Sequence, residues 1–259
     1  MFRGRRVSVV VPAYNEEGTI AAVVRDFAAA EAVDEVIVVD NNCRDATAER
    51  AREAGARVVE ESAPGYGCAL RAGLEAATGE LVVLTEADGS FVARDLEKLL
   101  VYSDDGGMIL GTRTTRQMVE QGANMGRILR WGNVIAAKIL ELLWYIPHEP
   151  RLTDVGCTYR VIWKDVWMRI APGLREPGPG FSPEMICECY RRGIRVIEVP
   201  VSYHARAAGE SSHSGGVRAV ARTAFKMFRC IFRKRLSRAP APGESRAPDE
   251  DPRRIDAAS

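Results

Sequence analysis

Apolar residues fall in short unbroken blocks, separated by stretches in which they recur at helical spacing, and this alternation repeats over the first 110 or so positions. Residues 7–11 form a valine block, broken only by Ser8, that ends at Pro12, and residues 36–39 form a β-branched block that ends at Asp40 and Asn41. Blocks without polar alternation predict strands covered on both faces. Between them, residues 19–32 carry Ile20, Val23, Val24 and Phe27 at helical spacing. That predicts a crossover helix and a βαβ unit. The pattern continues with a helix at 46–54 stopped by Gly55, a short strand at 57–59, a helix at 68–77 ahead of Gly79, a strand at 81–84, a helix at 94–101 and a strand at 108–110. The class is α/β: a mainly parallel, doubly wound sheet with flanking helices. Such sheets take ligands beyond the C-terminal ends of their strands, which here are residues 12–17, 40–45, 85–90 and 111–113.

Beyond Arg113 the alternation stops. Residues 125–146 predict a long apolar helix bearing Trp131, Val134, Ile135, Ile139, Leu142 and Leu143. Lys138 and Glu141 interrupt it, and it is short for a membrane span, so a lid, an acceptor wall or an interfacial helix is expected. A polar loop at 154–160 leads to a strand, followed by a helix at 183–192 and a last strand at 195–199. Residues 217–235 place Val217, Val220, Ala224, Phe228 and Ile231 on one face and Arg218, Arg222, Lys226, Arg229 and Arg233 on the other. This basic amphipathic helix suits an anionic membrane interface and equally suits packing on the domain. Residues 237–259 lack apolar periodicity and predict disorder. The expected organisation is a catalytic domain over 1–214, the amphipathic helix over 215–236 and a disordered tail over 237–259.

Composition narrows the partners. Thirty-six Lys and Arg against 35 Asp and Glu leave a formal charge of +1, which gives no support to a nucleic-acid partner. The basic residues 1–6 run straight into the first strand without the apolar core of a signal peptide, so export is not expected. Six cysteines without paired C-x-x-C spacing predict reduced thiols in a cytosolic protein.

The strand ends hold the candidate chemistry. Glu86 and Asp88, two apart on an extended segment, put two hard oxygen ligands on one side of the chain, as a metal-bound diphosphate requires. Asp88-Gly89-Ser90 is also ordinary turn chemistry, but the buried strand ahead of it delivers the pair into the ligand crevice. Asp40 is placed to accept hydrogen bonds from ribose hydroxyls or base nitrogens. The alternative for Asp40 is an Asx turn or helix cap, a role that Asn41 and Asn42 serve equally well.

The segments Val9-Val10-Val11-Pro12-Ala13-Tyr14-Asn15-Glu16-Glu17, Val38-Val39-Asp40-Asn41-Asn42-Cys43-Arg44-Asp45, Gly65-Tyr66-Gly67-Cys68-Ala69 and Glu86-Ala87-Asp88 together resemble family 2 glycosyltransferases of the GT-A fold. Gly111-Thr112-Arg113, the run from Thr153 through Asp154 to Arg160, Glu198-Val199-Pro200-Val201, Arg206 and Gly209-Glu210-Ser211-Ser212 are similar to the dolichol- or polyprenyl-phosphate sugar synthase branch. The resemblance spans residues 6–214. It implies an inverting transfer of a hexose from a nucleoside-diphosphate sugar to a polyprenyl phosphate at the inner face of the cell membrane. Pro12, Ala13, Tyr14, Glu16 and Asp40, with Asn42, Gly67 and Ala87, are then expected around the nucleotide sugar. Glu86 and Asp88 are expected to hold Mg2+ or Mn2+. Arg113, with Arg127 or Arg130, is expected to neutralise phosphate charge, and Arg113, Arg130, Arg206, Ser211 and His213 to meet the acceptor phosphate.

A phosphate acceptor is already ionised at neutral pH and needs no general base, in keeping with three histidines (His148, His204, His213) that sit in no catalytic pattern. A soluble hydroxyl acceptor would need a base, with Asp154 or Glu184 as candidates. A non-catalytic nucleotide-sugar binding module is the alternative of another class. Three departures from the family pattern stand out: Glu86 where aspartate is commoner, Tyr66 where lysine is frequent, and Ser90 in place of a larger amide or imidazole.

Overall fold

A computed structural model describes residues 1–120, 123, 127–144, 151–206, 217–237 and 253; the side chains of 127–129 and 217–222 lie outside that description. Seven strands form one sheet: β1 (Val7–Ala13), β2 (Glu35–Asp40), β3 (Arg57–Glu60), β4 (Leu81–Leu84), β5 (Met108–Thr112), β6 (Arg160–Trp163) and β7 (Val196–Pro200). Eight described α-helices accompany them: α1 (Ile20–Ala28), α2 (Thr47–Glu53), α3 (Tyr66–Ala76), α4 (Leu96–Val101), α5 (Arg127–Leu143), α6 (Lys164–Ile170), α7 (Phe181–Arg191) and α8 (Val217–Leu236).

The strand order is β3-β2-β1-β4-β6-β5-β7. The expected parallel run holds from β3 to β4, and β5 pairs parallel with β7. Between these two parallel sets lies β6, antiparallel to both β4 and β5, with Leu84 opposite Arg160 and Leu110 also opposite Arg160. The sheet is therefore mixed, and β6 drives the 153–159 loop into the crevice at the ends of β4 and β5.

Alternate residues of the unbroken strand blocks go to opposite faces. Val10, Ile37, Val39, Val82 and Leu84 join one buried cluster with Leu70 and Leu74 of α3 and Met185 and Ile186 of α7. Val9, Val11, Val38, Leu81 and Val83 join the other with Ile20, Val23, Val24 and Phe27 of α1. Both faces are covered, which is why these blocks show no polar alternation. Each such side chain removed from water contributes about 1.5–3 kcal/mol.

One strand end and one helix differ from expectation for identifiable reasons. β1 continues through Pro12 to Ala13, because at the C-terminal end of the strand a missing N–H costs little ladder pairing. The helix α6 carries Val166, Trp167 and Ile170 on its buried side; only seven residues long, it was not singled out by periodicity. Helix α8 packs against α5 and α7. Cys230, Ile231 and Lys234 are buried there, so its second half is built into the domain. Ser211 and His213, and the tail apart from Ser237 and Arg253, lie outside the described residues. No helix among the described residues is long and apolar enough to cross a membrane.

Candidate active site

A cavity of about 870 Å³ opens beyond the C-terminal ends of β1, β2 and β4 and runs toward α5 and α8. Pro12, Ala13, Tyr14 and Glu16 from the β1 end line it, as do Asn42, Glu86, Ala87 and Asp88. Arg44, Arg113 and Arg206 supply its positive charge.

The acidic pair leaves β4 directly. Glu86 Oε1 accepts a 2.6 Å hydrogen bond from Thr158 Oγ1. Asp88 Oδ1 accepts from the Ser90 N–H at 2.9 Å, and Asp88 Oδ2 pairs with Arg206 Nη2 at 2.9 Å. Burial, reinforced by the nearby charge of Asp88, pushes the Glu86 carboxyl above its ordinary range, against the pull of Arg113, Thr158 and Arg206. Glu16 rises as well: burial is the main cause, Arg206 opposes it, and Asp88 adds to it. Glu16, Glu86 and Asp88 thus form a partly desolvated acidic floor whose described counter-charges are arginines, and such a floor attracts a further cation.

Arg113, 7% exposed, is fixed by Asp154 in a two-point contact, Nε to Oδ2 at 2.8 Å and Nη2 to Oδ1 at 3.0 Å, while its own backbone N–H also reaches Oδ2. Burial alone would lower the guanidinium pKa, but the Asp154 charge keeps it well above its ordinary value. Asp154 is itself held from behind, because Glu198 accepts the backbone N–H groups of Thr153 and Asp154. With both oxygens committed and no exposure, Asp154 is an orienter of Arg113 and has no free lone pair facing an acceptor. The base candidacy of Asp154 therefore fails on geometry. That of Glu184 fails too: buried in α7, it pairs with Lys234 and Arg233 of α8 and accepts the Arg175 and Glu176 N–H groups.

Turn chemistry after β2 gives Asp40 the Asx-turn role that stood as its alternative. Asp40 Oδ1 accepts the Cys43 N–H at 2.8 Å, so Asp40 itself makes the turn, and it does not line the cavity. Asn41 instead ties down the 61–65 loop, donating to the Glu61 and Ala63 carbonyls and accepting from the Gly65 N–H. Gly67 is also absent from the wall, its N–H committed to the Pro177 carbonyl at 2.8 Å. Gly65 has φ +135°, and a Cβ there would lie 2.3 Å from the Pro177 carbonyl oxygen, which explains glycine at that point. Arg130 does not line the cavity, and the Arg127 side chain is outside the described residues.

A model of Glycosyl transferase family 2 matches residues 8–160. The chain belongs to that family. An uncharacterized glycosyltransferase of Mycobacterium tuberculosis is 35% identical to this family 2 glycosyltransferase over 215 residues, covering 83% of this chain and 93% of that protein. A dolichyl-phosphate hexose transferase of Haloferax volcanii is 32% identical over 209 residues, 79% of this chain and 85% of its own. Among solved structures, glucosyl-3-phosphoglycerate synthase from Mycobacterium tuberculosis, in complex with Mn2+, uridine diphosphate and phosphoglyceric acid, superposes with a TM-score of 0.71 at 21% identity. That superposition covers 93% of this chain and 81% of the other, and it establishes the likeness of fold.

Several wall residues of the family 2 glycosyltransferase were given no role from sequence. Tyr66 and Thr158 sit within recognised motifs without an assigned role, and both line the cavity. Asn133, buried on the inner face of α5, lines it as well. A lone amide on that apolar face was the available signal. Thr223, Ala224 and Met227 bring α8 into the wall, a contact that helical periodicity cannot distinguish from packing elsewhere.

Proposed function

We propose that this glycosyltransferase moves a hexose from a nucleoside-diphosphate sugar to a polyprenyl phosphate at a membrane surface. The observation that carries the reading is the continuity of one cavity from the Glu86, Asp88, Arg113 and Arg206 cluster to the wall made by Gly132, Ala136, Ala224 and Met227 of α5 and α8. The outer faces of the same two helices expose apolar side chains. Trp131 is 61% exposed and Phe225 68%, and Ile135, Leu142, Phe232 and Leu236 continue the two stripes beside Lys226 and Arg229. Aromatic and aliphatic side chains mixed with cations suit an anionic lipid interface. A lipid phosphate lying there would have its head at the arginines and its chain along the apolar wall.

The donor end fits a divalent cation by the chemistry of its ligands. Among the described residues no group of three His, Cys, Asp or Glu side chains converges for a metal ion. The chain therefore offers two carboxylates, Glu86 and Asp88, and the diphosphate supplies oxygens for the rest, as is usual for Mg2+ or Mn2+. A cation so held would neutralise the departing diphosphate.

The remaining work falls to side chains of this protein. Pro12, Ala13 and Tyr14 form the floor on which the nucleoside rests. Arg113, locked by Asp154, supplies a positive charge that needs no reorganisation as charge develops. With Asp154 and Glu184 both committed, the acceptor oxygen is best one that arrives ionised, and a phosphate meets that condition. The reading is tested by incubating the protein with UDP-, GDP- and other nucleotide sugars, Mn2+ or Mg2+, and polyprenyl phosphate, then weighing the lipid product. A glycosylated lipid phosphate is expected. Transfer to soluble phosphorylated acceptors alone would replace the lipid with a small acceptor, and donor binding without any turnover would leave a binding module.

A further inference from the structure

Glu86 is one methylene longer than aspartate, and its carboxylate is not free to rotate. Thr158, 2% exposed in the loop before β6, has one hydroxyl proton and donates it to Glu86 Oε1 at 2.6 Å. The 2.5 Å contact between Thr158 Oγ1 and Tyr66 OH must then run the other way, with Tyr66 donating. The order is therefore Tyr66 O–H to Thr158 O–H to Glu86 Oε1. Three segments distant in sequence meet in it: the start of α3, the loop into β6 and the end of β4. All three side chains line the cavity. Burial, with the Glu86 charge next in weight, pushes the Tyr66 phenol up to about 12, so it remains a donor at any working pH.

We propose that Tyr66 and Thr158 are positioning residues for Glu86: their hydroxyls hold Oε1 and leave Oε2 to meet the divalent cation. The inference rests on the metal and nucleotide reading above. Oε2 has no hydrogen-bond partner among the described residues. A side chain with three rotatable bonds would otherwise lose its freedom on binding the cation, and the hydroxyl pair removes that freedom beforehand. An aspartate at this position would fall one methylene short of Thr158, so the longer acid and the hydroxyl pair form one unit.

The test is a double-mutant cycle on Mn2+ affinity, read by electron paramagnetic resonance of free Mn2+ with UDP and, separately, GDP present, alongside melting temperature. Thr158→Val is expected to weaken Mn2+ about tenfold, the scale of one hydrogen bond to a charged group, while Thr158→Ser restores it and Tyr66→Phe weakens it less. Glu86→Asp is expected to weaken it too, and Thr158→Val in that background to add nothing further. Should Thr158→Val fail to fold, Tyr66→Phe carries the same comparison. Wild-type affinity in Thr158→Val or Tyr66→Phe, or effects of Glu86→Asp and Thr158→Val that simply add, would overturn the unit while leaving the metal reading intact. A wild-type protein that binds Mn2+ with neither nucleotide would remove the metal reading itself.

Discussion

Arg206 joins two strand ends: Nη2 lies 2.9 Å from Asp88 Oδ2, and Nη1 lies 2.9 Å from Glu16 Oε1. One guanidinium thus neutralises acids from the ends of β1 and β4, on the carboxylate that the proposed site uses for a cation. Replacing Arg206 with alanine removes a competitor for Asp88 and a positive charge for phosphate together. Mn2+ affinity measured without acceptor is expected to rise about three- to tenfold, and transfer to lipid phosphate to fall by about 10- to 100-fold. Equal losses in both measurements would show that Arg206 only maintains the fold.

Asp154 acts through Arg113, so its substitution is expected to affect every acceptor alike. Asp154→Asn leaves a buried guanidinium without its counter-charge, at a cost of about 3 kcal/mol or more. For a chain of this size that is a melting temperature lower by about 6–12 °C. A loss confined to hydroxyl acceptors, with melting unchanged, would restore Asp154 as a base.

Two glutamates give opposite pH responses. Burial and Asp88 raise the folded-state pKa of Glu86 above its ordinary value of 4.5. The folded state then binds the proton more tightly, so the stability associated with Glu86 is full below 4.5 and is lost as pH rises through the folded value. Glu86→Gln is expected to melt like the wild type at low pH and progressively above it as pH rises, in metal-free protein. For Glu35, burial opposes ionisation, but hydrogen bonds from Ser8 and Thr78 and then Arg57 bring its carboxyl down to about 2. Its contribution is present above 4.5 and fades as pH falls toward 2. Glu35→Gln should therefore lower the melting temperature at neutral pH and have little effect near pH 2.

Deleting α8 to test membrane binding would mislead, because Lys234 is buried against Glu184 and Glu188, and Arg233 pairs with Glu176. Point changes on its outer face avoid that. Phe225→Asp with Phe232→Asp is expected to leave melting within about 1–2 °C, as exposed substitutions usually do, and to reduce retention on anionic liposomes severalfold. Retention unchanged by the pair, and by Trp131→Ala on α5, would detach the membrane from the proposed function.

The order of strands and helices apart from α6, the two-faced burial of β1, β2 and β4, and the delivery of Glu86 and Asp88 to a strand end were all legible in the sequence. Each depends on local periodicity and on which residues end a block, and those are properties of short segments. The nucleotide end was only partly legible. Asp40, Asn41 and Asn42 can each satisfy a turn, and the choice was made by the backbone, which takes φ +68° at Asn42 and brings the Cys43 N–H to Asp40. Periodicity likewise could not say what would cover the inner face of α8.

Tertiary structure alone decided the direction and place of β6. A four-residue strand, Arg160–Trp163, gives no local sign that it will run antiparallel between β4 and β5, since its partners are some 50 to 80 residues away in the chain. That insertion brings Asp154 to Arg113 and Thr158 to Glu86. The acids of the site were thus determined by sequence, whereas the groups that aim them were determined by a long-range pairing, whose energy lies in contacts that no local window contains.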